Sequence, residues 1–151
     1  QGNKDSLLCN DSAPSVRELF DLLKHKDAVV VRYASFGIAR LCDNHRENQD
    51  AYTVELHRVL PLLEHKEDEV ARNAALILGC ACNGHKINQD FLTPHINSKL
   101  SLLLERDDVM AVGNAALTLA NACDGHAANK IEVAATFPRI TALLTKGSQD
   151  T

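Results

Sequence analysis

No run of apolar residues in this sequence approaches the ~20 that a membrane-spanning helix needs. A surplus of positive charge is missing too: 16 Lys and Arg stand against 20 Asp and Glu, a net charge of −4. That balance argues against nucleic acid as a partner, because phosphate binding needs a basic face. Tryptophan is absent. β-branched residues are few over long stretches, which makes strands improbable. No signal peptide is visible. The chain opens at Gln1 without methionine, and is expected to be an excised piece. The catalytic signatures are missing as well: no Gly-rich phosphate loop, no G-x-S-x-G, no H-E-x-x-H and no Asp/Asn-rich calcium loop. Five cysteines, an odd count without a dense short-range framework, suggest free thiols in a reducing compartment. The expected place is the cytoplasm, with the nucleus as a second possibility.

What is present is an ordinary globular composition, 45% apolar and 24% charged, over a length sufficient for one domain (1–151) with a real core. Three short stretches stand out: CDNH at 42–45, CNGH at 82–85 and CDGH at 123–126. They belong to a longer recurrence. Residues 22–50, LLKHKDAVVVRYASFGIARLCDNHRENQD, match residues 62–90, LLEHKEDEVARNAALILGCACNGHKINQD, at a shift of 40. A third copy follows at a shift of 41, in which Asn73-Ala74-Ala75-Leu76 returns as Asn114-Ala115-Ala116-Leu117. Periods of 20 to 50 residues indicate a solenoid, propeller or array. The local spacing selects among them. Ala115, Leu119, Ala122 and Cys123 lie three or four apart, one apolar stripe of a helix. A propeller of this period would need four strands per unit, which the sequence cannot supply.

Each unit divides into three predicted helices. The first is short and begins near Asn-Gln-Asp (48–54, 88–92). The second carries the leucine pairs (54–64, 96–105). The third is the Ala-rich run (68–82, 109–123). Pro94 separates a first helix from a second, and Pro61 falls early in a second helix, where a missing N–H is tolerated. Asn44, Gly84 and Gly125 end the third helices with residues that accept the left-handed conformation. In Cys-x-x-His the cysteine closes the apolar stripe, the following residues reverse the chain and the histidine starts the next unit. Zinc needs four ligands; each unit offers two, and units spaced like packed helices, ~8–10 Å apart, cannot share one ion. No metal and no cofactor are expected. Cys42, Cys82 and Cys123 fall on the buried stripe. Cys80, two residues from Cys82, falls on another side of the helix and would be the reactive thiol if there is one. The acidic pairs at the helix starts, Asp107-Asp108 and Glu67-Asp68-Glu69, complement the macrodipole.

The stretches NQDFLTPHINSKLSLLL (88–104) and EVARNAALILGCAC (69–82) resemble the armadillo repeat, a three-helix unit of about the same period, and the resemblance covers nearly the whole chain. It implies an all-α, right-handed α-solenoid of about three and a half repeats, at roughly 3–44, 45–84, 85–125 and a partial 126–146. HEAT repeats are the second reading. The resemblance also implies a non-enzymatic protein-binding module or scaffold, with an extended partner segment held in a groove lined by the third helices. In nuclear-import receptors of the family that groove carries Trp and, one turn later, Asn. Those positions fall here on Phe36, Leu76 and Leu117, and on Arg40, Cys80 and Asn121. Only Asn121 matches, which argues against a receptor for nuclear-localisation signals. The groove residues expected instead are Arg32, Tyr33, Phe36, Arg40, Arg72, Asn73, Asn114 and Asn121. The arginines among them are expected to be solvent-accessible when no ligand is bound, and the face is expected to suit an acidic or amide-rich segment and to hold its backbone through the asparagines. A looser similarity of residues 27–52 to Fused-type kinases, ciliary armadillo proteins and small-GTPase exchange factors gives the alternative, a non-catalytic regulatory region of an enzyme-linked protein. Ile140, Leu143 and Leu144 in the partial unit are expected to lack a neighbour on one side, which implies self-association through the C-terminal end.

Overall fold

The computed structural model describes residues 15–138 and Thr141. Among these the chain is all-helical and contains no strand. Helix α1 (Val16–Asp21) starts in a capping box: the Ser15 hydroxyl accepts from the Glu18 N–H, and the Glu18 carboxylate accepts from the Ser15 N–H. Both orphan donors of the first turn are thereby satisfied. A 3₁₀ turn, Leu22–Lys24, leads to α2 (Ala28–Cys42) and α3 (Arg46–Tyr52). Two more 3₁₀ turns, Leu56–Arg58 and Leu60–Glu64, precede α4 (Asp68–Cys82) and α5 (Lys86–Leu92). The 3₁₀ turn Thr93–His95, the π turn Ile96–Leu100 and α6 (Ser101–Leu103) follow. Then come α7 (Val109–Cys123) and α8 (Ala127–Ala134).

Helices α2, α4 and α7 are 15 residues each, and α4 packs between the other two. Eleven of its residues are buried, against five in each neighbour, as a helix covered on both sides requires. The predicted third helices at 68–82 and 109–123 coincide with α4 and α7. The predicted second helices do not form regular α-helices. Much of their apolar side is nonetheless core: Leu56, Val59, Leu60, Leu63, Ile96, Leu100 and Leu103 are all buried. Pro61 and Pro94 each occupy the first turn of a 3₁₀ segment, where the missing N–H costs least. At Ile96 the helix widens because the N–H and Oγ of Ser101 both donate to the Ile96 carbonyl. Hydrophobic period fixes which face is buried; it does not fix which carbonyl each N–H reaches.

The predicted first helices begin two residues too late. Helices α3, α5 and α8 start after His45, His85 and His126, whose Nδ1 accepts from the N–H of Asn48, Asn88 and Asn129. The histidine is thus the N-cap, a place usually held by Ser, Thr, Asp or Asn. With Nδ1 accepting, the proton sits on Nε2. That nitrogen donates to the preceding unit: His85 to Asp50 at 2.8 Å and His126 to Asp90 at 2.7 Å. Before each cap the chain reverses through a left-handed residue, Asn44 at φ 54°, Gly84 at 64° and Gly125 at 66°.

The Asn-Gln-Asp triplet reaches in two directions. The Asn88 amide donates backward to the carbonyls of Ala81 (2.8 Å) and Gln49 (3.2 Å) and accepts from the Thr53 hydroxyl. Asn129 does the same with Ala122, Gln89 and Thr93. The glutamines reach forward. Gln49 donates to Cys80 and Asn83, and Gln89 to Asn121 and Asp124, closing the C-terminal carbonyls of the next long helix. After Asn129 the sequence has Lys130 and Ile131 in place of Gln and Asp, so the forward contacts end with α7.

Candidate functional site

A cleft of about 380 Å³ crosses α2, α4 and α7. Six of the eight expected groove residues line it: Arg32, Tyr33, Phe36, Arg72, Asn73 and Asn114. Glu69, Leu76 and Met110 complete the lining. The apolar surface is open, since Tyr33 is 65% exposed, Phe36 51% and Met110 57%. Apolar rings left in water represent unused burial of ~1.5–3 kcal/mol each.

The arginines are neither fully exposed nor free, against expectation. Their side chains are only about one-third exposed, and both bind Glu69: Arg32 Nη1 to Oε2 at 3.1 Å and Arg72 Nη2 to Oε1 at 3.1 Å. The hydrogen bond that Arg32 donates to Glu69, and then the Glu69 charge, hold the Arg32 guanidinium above its usual pKa. Arg32 also lies 4.8 Å over the Tyr33 ring, a cation–π contact. Arg72 has a second, longer contact to Asp108 at 4.0 Å. Two guanidinium groups therefore share one carboxylate at the mouth of the cleft. Glu69 carries this arrangement and went unnoticed in the sequence, where it reads as a first-turn acid complementing the helix dipole.

The other two expected residues lie elsewhere. Arg40 is exposed and faces Asp43 at 4.0 Å. Asn121 donates to the Gly79 carbonyl at 3.0 Å. The asparagines inside the cleft are similarly engaged: Asn73 donates to the Arg32 carbonyl and Asn114 to the Arg72 carbonyl. They tie each long helix to the one before it, so each amide already commits one of its two N–H groups to a neighbouring helix. Identity alone could not show this, because the same amide serves a ligand or a neighbouring helix equally well.

Comparison with protein-family models, with curated proteins and with solved structures found no match to this chain. The geometry must therefore carry the reading.

Cys80 is not a groove thiol. It is buried, and burial, with Asp43 nearby, pushes its pKa up to about 11. Burial first, then the neighbouring thiol of Cys80, pushes Cys42 up to about 12; Cys82 is raised further still. Among the described residues Cys123 is the least enclosed. Its position is equivalent to those of Cys42 and Cys82, but among the described residues no long helix covers α7 on that side. No group of three or more His, Cys, Asp or Glu side chains suited to a metal occurs among the described residues. No helix among them is long and apolar enough to cross a membrane.

Proposed function

We propose that this chain is a non-enzymatic protein-binding module, built as an armadillo-like right-handed solenoid, that takes an extended partner segment in the cleft across α2, α4 and α7. The observation that carries the proposal is the combination of open rings at Tyr33 and Phe36 with two arginines sharing one carboxylate. Aromatic and arginine side chains dominate binding energy at protein interfaces, and an apolar concavity with a few directed polar groups is the usual form of a binding site. A partner carboxylate would bind between Arg32 and Arg72 in competition with Glu69, while an apolar side chain covers Phe36, Leu76 and Met110. The preferred segment therefore pairs an apolar anchor with an acidic residue. The cytoplasm, or the nucleus, is the compartment this reading assumes.

A peptide library displayed against the intact chain tests it. Selected sequences should contain an apolar residue near an Asp or Glu. Binding should fall at least tenfold in Phe36→Ala and in Arg72→Gln, and should weaken as salt rises. Selection of no sequence class, or affinities unaffected by both substitutions, would overturn the proposal.

A further inference from the structure

Each long helix has one face turned toward the next. On α2 that face contains Val31, Ser35 and Ile38, all buried beneath α4. The equivalent residues of α4, Ala71, Ala75 and Leu78, are buried beneath α7. On α7 the corresponding positions are Val112, Ala116 and Leu119, and they line an open apolar cavity of about 500 Å³. Val133 of α8 and Phe137 close its far wall. Among the described residues the same surface has thus accepted a helix twice and stands open the third time.

What fits there is legible from the two filled interfaces. The incoming helix is 15 residues long. It donates an asparagine amide to a carbonyl of the helix it meets, Asn73 to Arg32 and Asn114 to Arg72. A second contact is selective. Thr118 donates to the Ala75 carbonyl and lies so close to Gly79 that a Cβ there would stand 2.9 Å from its Oγ1. The residue of α7 equivalent to Gly79 is Ala120. A helix carrying threonine at that point is disfavoured on α7, whereas α4 carries Ile77 there and packs on α2, where the equivalent residue is Ala39. A second folded copy is a poor occupant, because the asparagine faces of its own α4 and α7 are already engaged.

We propose that the cavity on α7 is a docking site for a single α-helix of a partner protein, with an asparagine in its second turn and a branched aliphatic residue one turn later, the pattern of Asn73 and Ile77. The site is separate from the cleft.

The test uses the intact chain and a labelled synthetic peptide spanning residues 67–83. Saturable binding is expected, weakened at least tenfold by Ala120→Glu and by alanine in place of the peptide asparagine. Phe36→Ala should leave it unchanged. A peptide spanning 108–124, which carries the threonine, should bind weakly to the native chain and gain at least tenfold in Ala120→Gly. Ala120 is exposed, and unchanged thermal unfolding of each variant would show that the fold is intact. Absence of saturable binding, or binding indifferent to both Ala120 substitutions, overturns the proposal. Sedimentation showing a dimer that Ala120→Glu dissociates, with no peptide binding, would overturn it in favour of self-association.

Discussion

Gly79 and Thr118 form a close contact between α4 and α7. A methyl group at position 79 would meet Oγ1 at 2.9 Å and the Thr118 Cα at 3.4 Å. Gly79→Ala is therefore expected to destabilise by about 1–3 kcal/mol despite the better helix propensity of alanine. Urea unfolding measures it, and the losses from Gly79→Ala and Thr118→Ala should be less than additive, because one relieves the other. Asp90 sets a different constraint. Hydrogen bonds from His126, then Lys86, hold its pKa below the usual 3.8. A depressed carboxylate contributes stability that is complete above its unfolded pKa and is lost as pH falls through the folded one. Between about pH 4 and pH 2 the native chain should lose thermal stability more steeply than Asp90→Asn. The cysteines give a third readout. In a Cys9→Ser background, Cys123 should react with a thiol reagent before Cys42, Cys80 and Cys82, whose thiolates are disfavoured by burial. Faster labelling of Cys80 would contradict its enclosure.

At the level of elements, the long helices were legible because α4 and α7 each bury a continuous stripe, and burial is what hydrophobic spacing records. The short helices were less legible. Their starts depend on His45, His85 and His126 acting as N-caps, a role imidazole rarely takes. The cleft was legible for the residues whose side chains stand away from the helix stack, Tyr33 and Phe36 above all. It was misread at Cys80 and Asn121, where a helical wheel shows direction but not whether a neighbouring helix lies that way. Asn88 shows what such hidden contacts contribute. Fully buried, it joins three partners across two units. Asn88→Ala should cost about 1–3 kcal/mol, since buried carbonyls are left without donors. Asn48, only half-buried and bonded to the Leu41 carbonyl, should cost less when replaced in the same way. Equal losses in chemical denaturation would show that the backward contact to Gln49 adds nothing.

For the molecule as a whole, the shared carboxylate in the cleft links binding to folding. Arg32→Glu together with Arg72→Glu would place three carboxylates where one now balances two guanidinium groups. That double variant should melt at a lower temperature, whereas the pair of glutamine substitutions should melt closer to the native chain, a contrast that calorimetry can register. The expected exposure of Ile140, Leu143 and Leu144 concerns positions outside the described residues, and the open surface that the structure does define lies on α7. The two-directional reach of Asn, Gln and Asp has one more consequence. Because successive periods share most of these bonds, a period can be excised at matching points. Deleting residues 46–85 joins His45 to Lys86, so that His45 caps α5 and α2 meets α7 directly. The splice leaves Thr118 facing Ala39 where Gly79 stood. The shortened chain should therefore melt at a higher temperature when Ala39→Gly accompanies the deletion, and circular dichroism melts of the two versions would tell them apart.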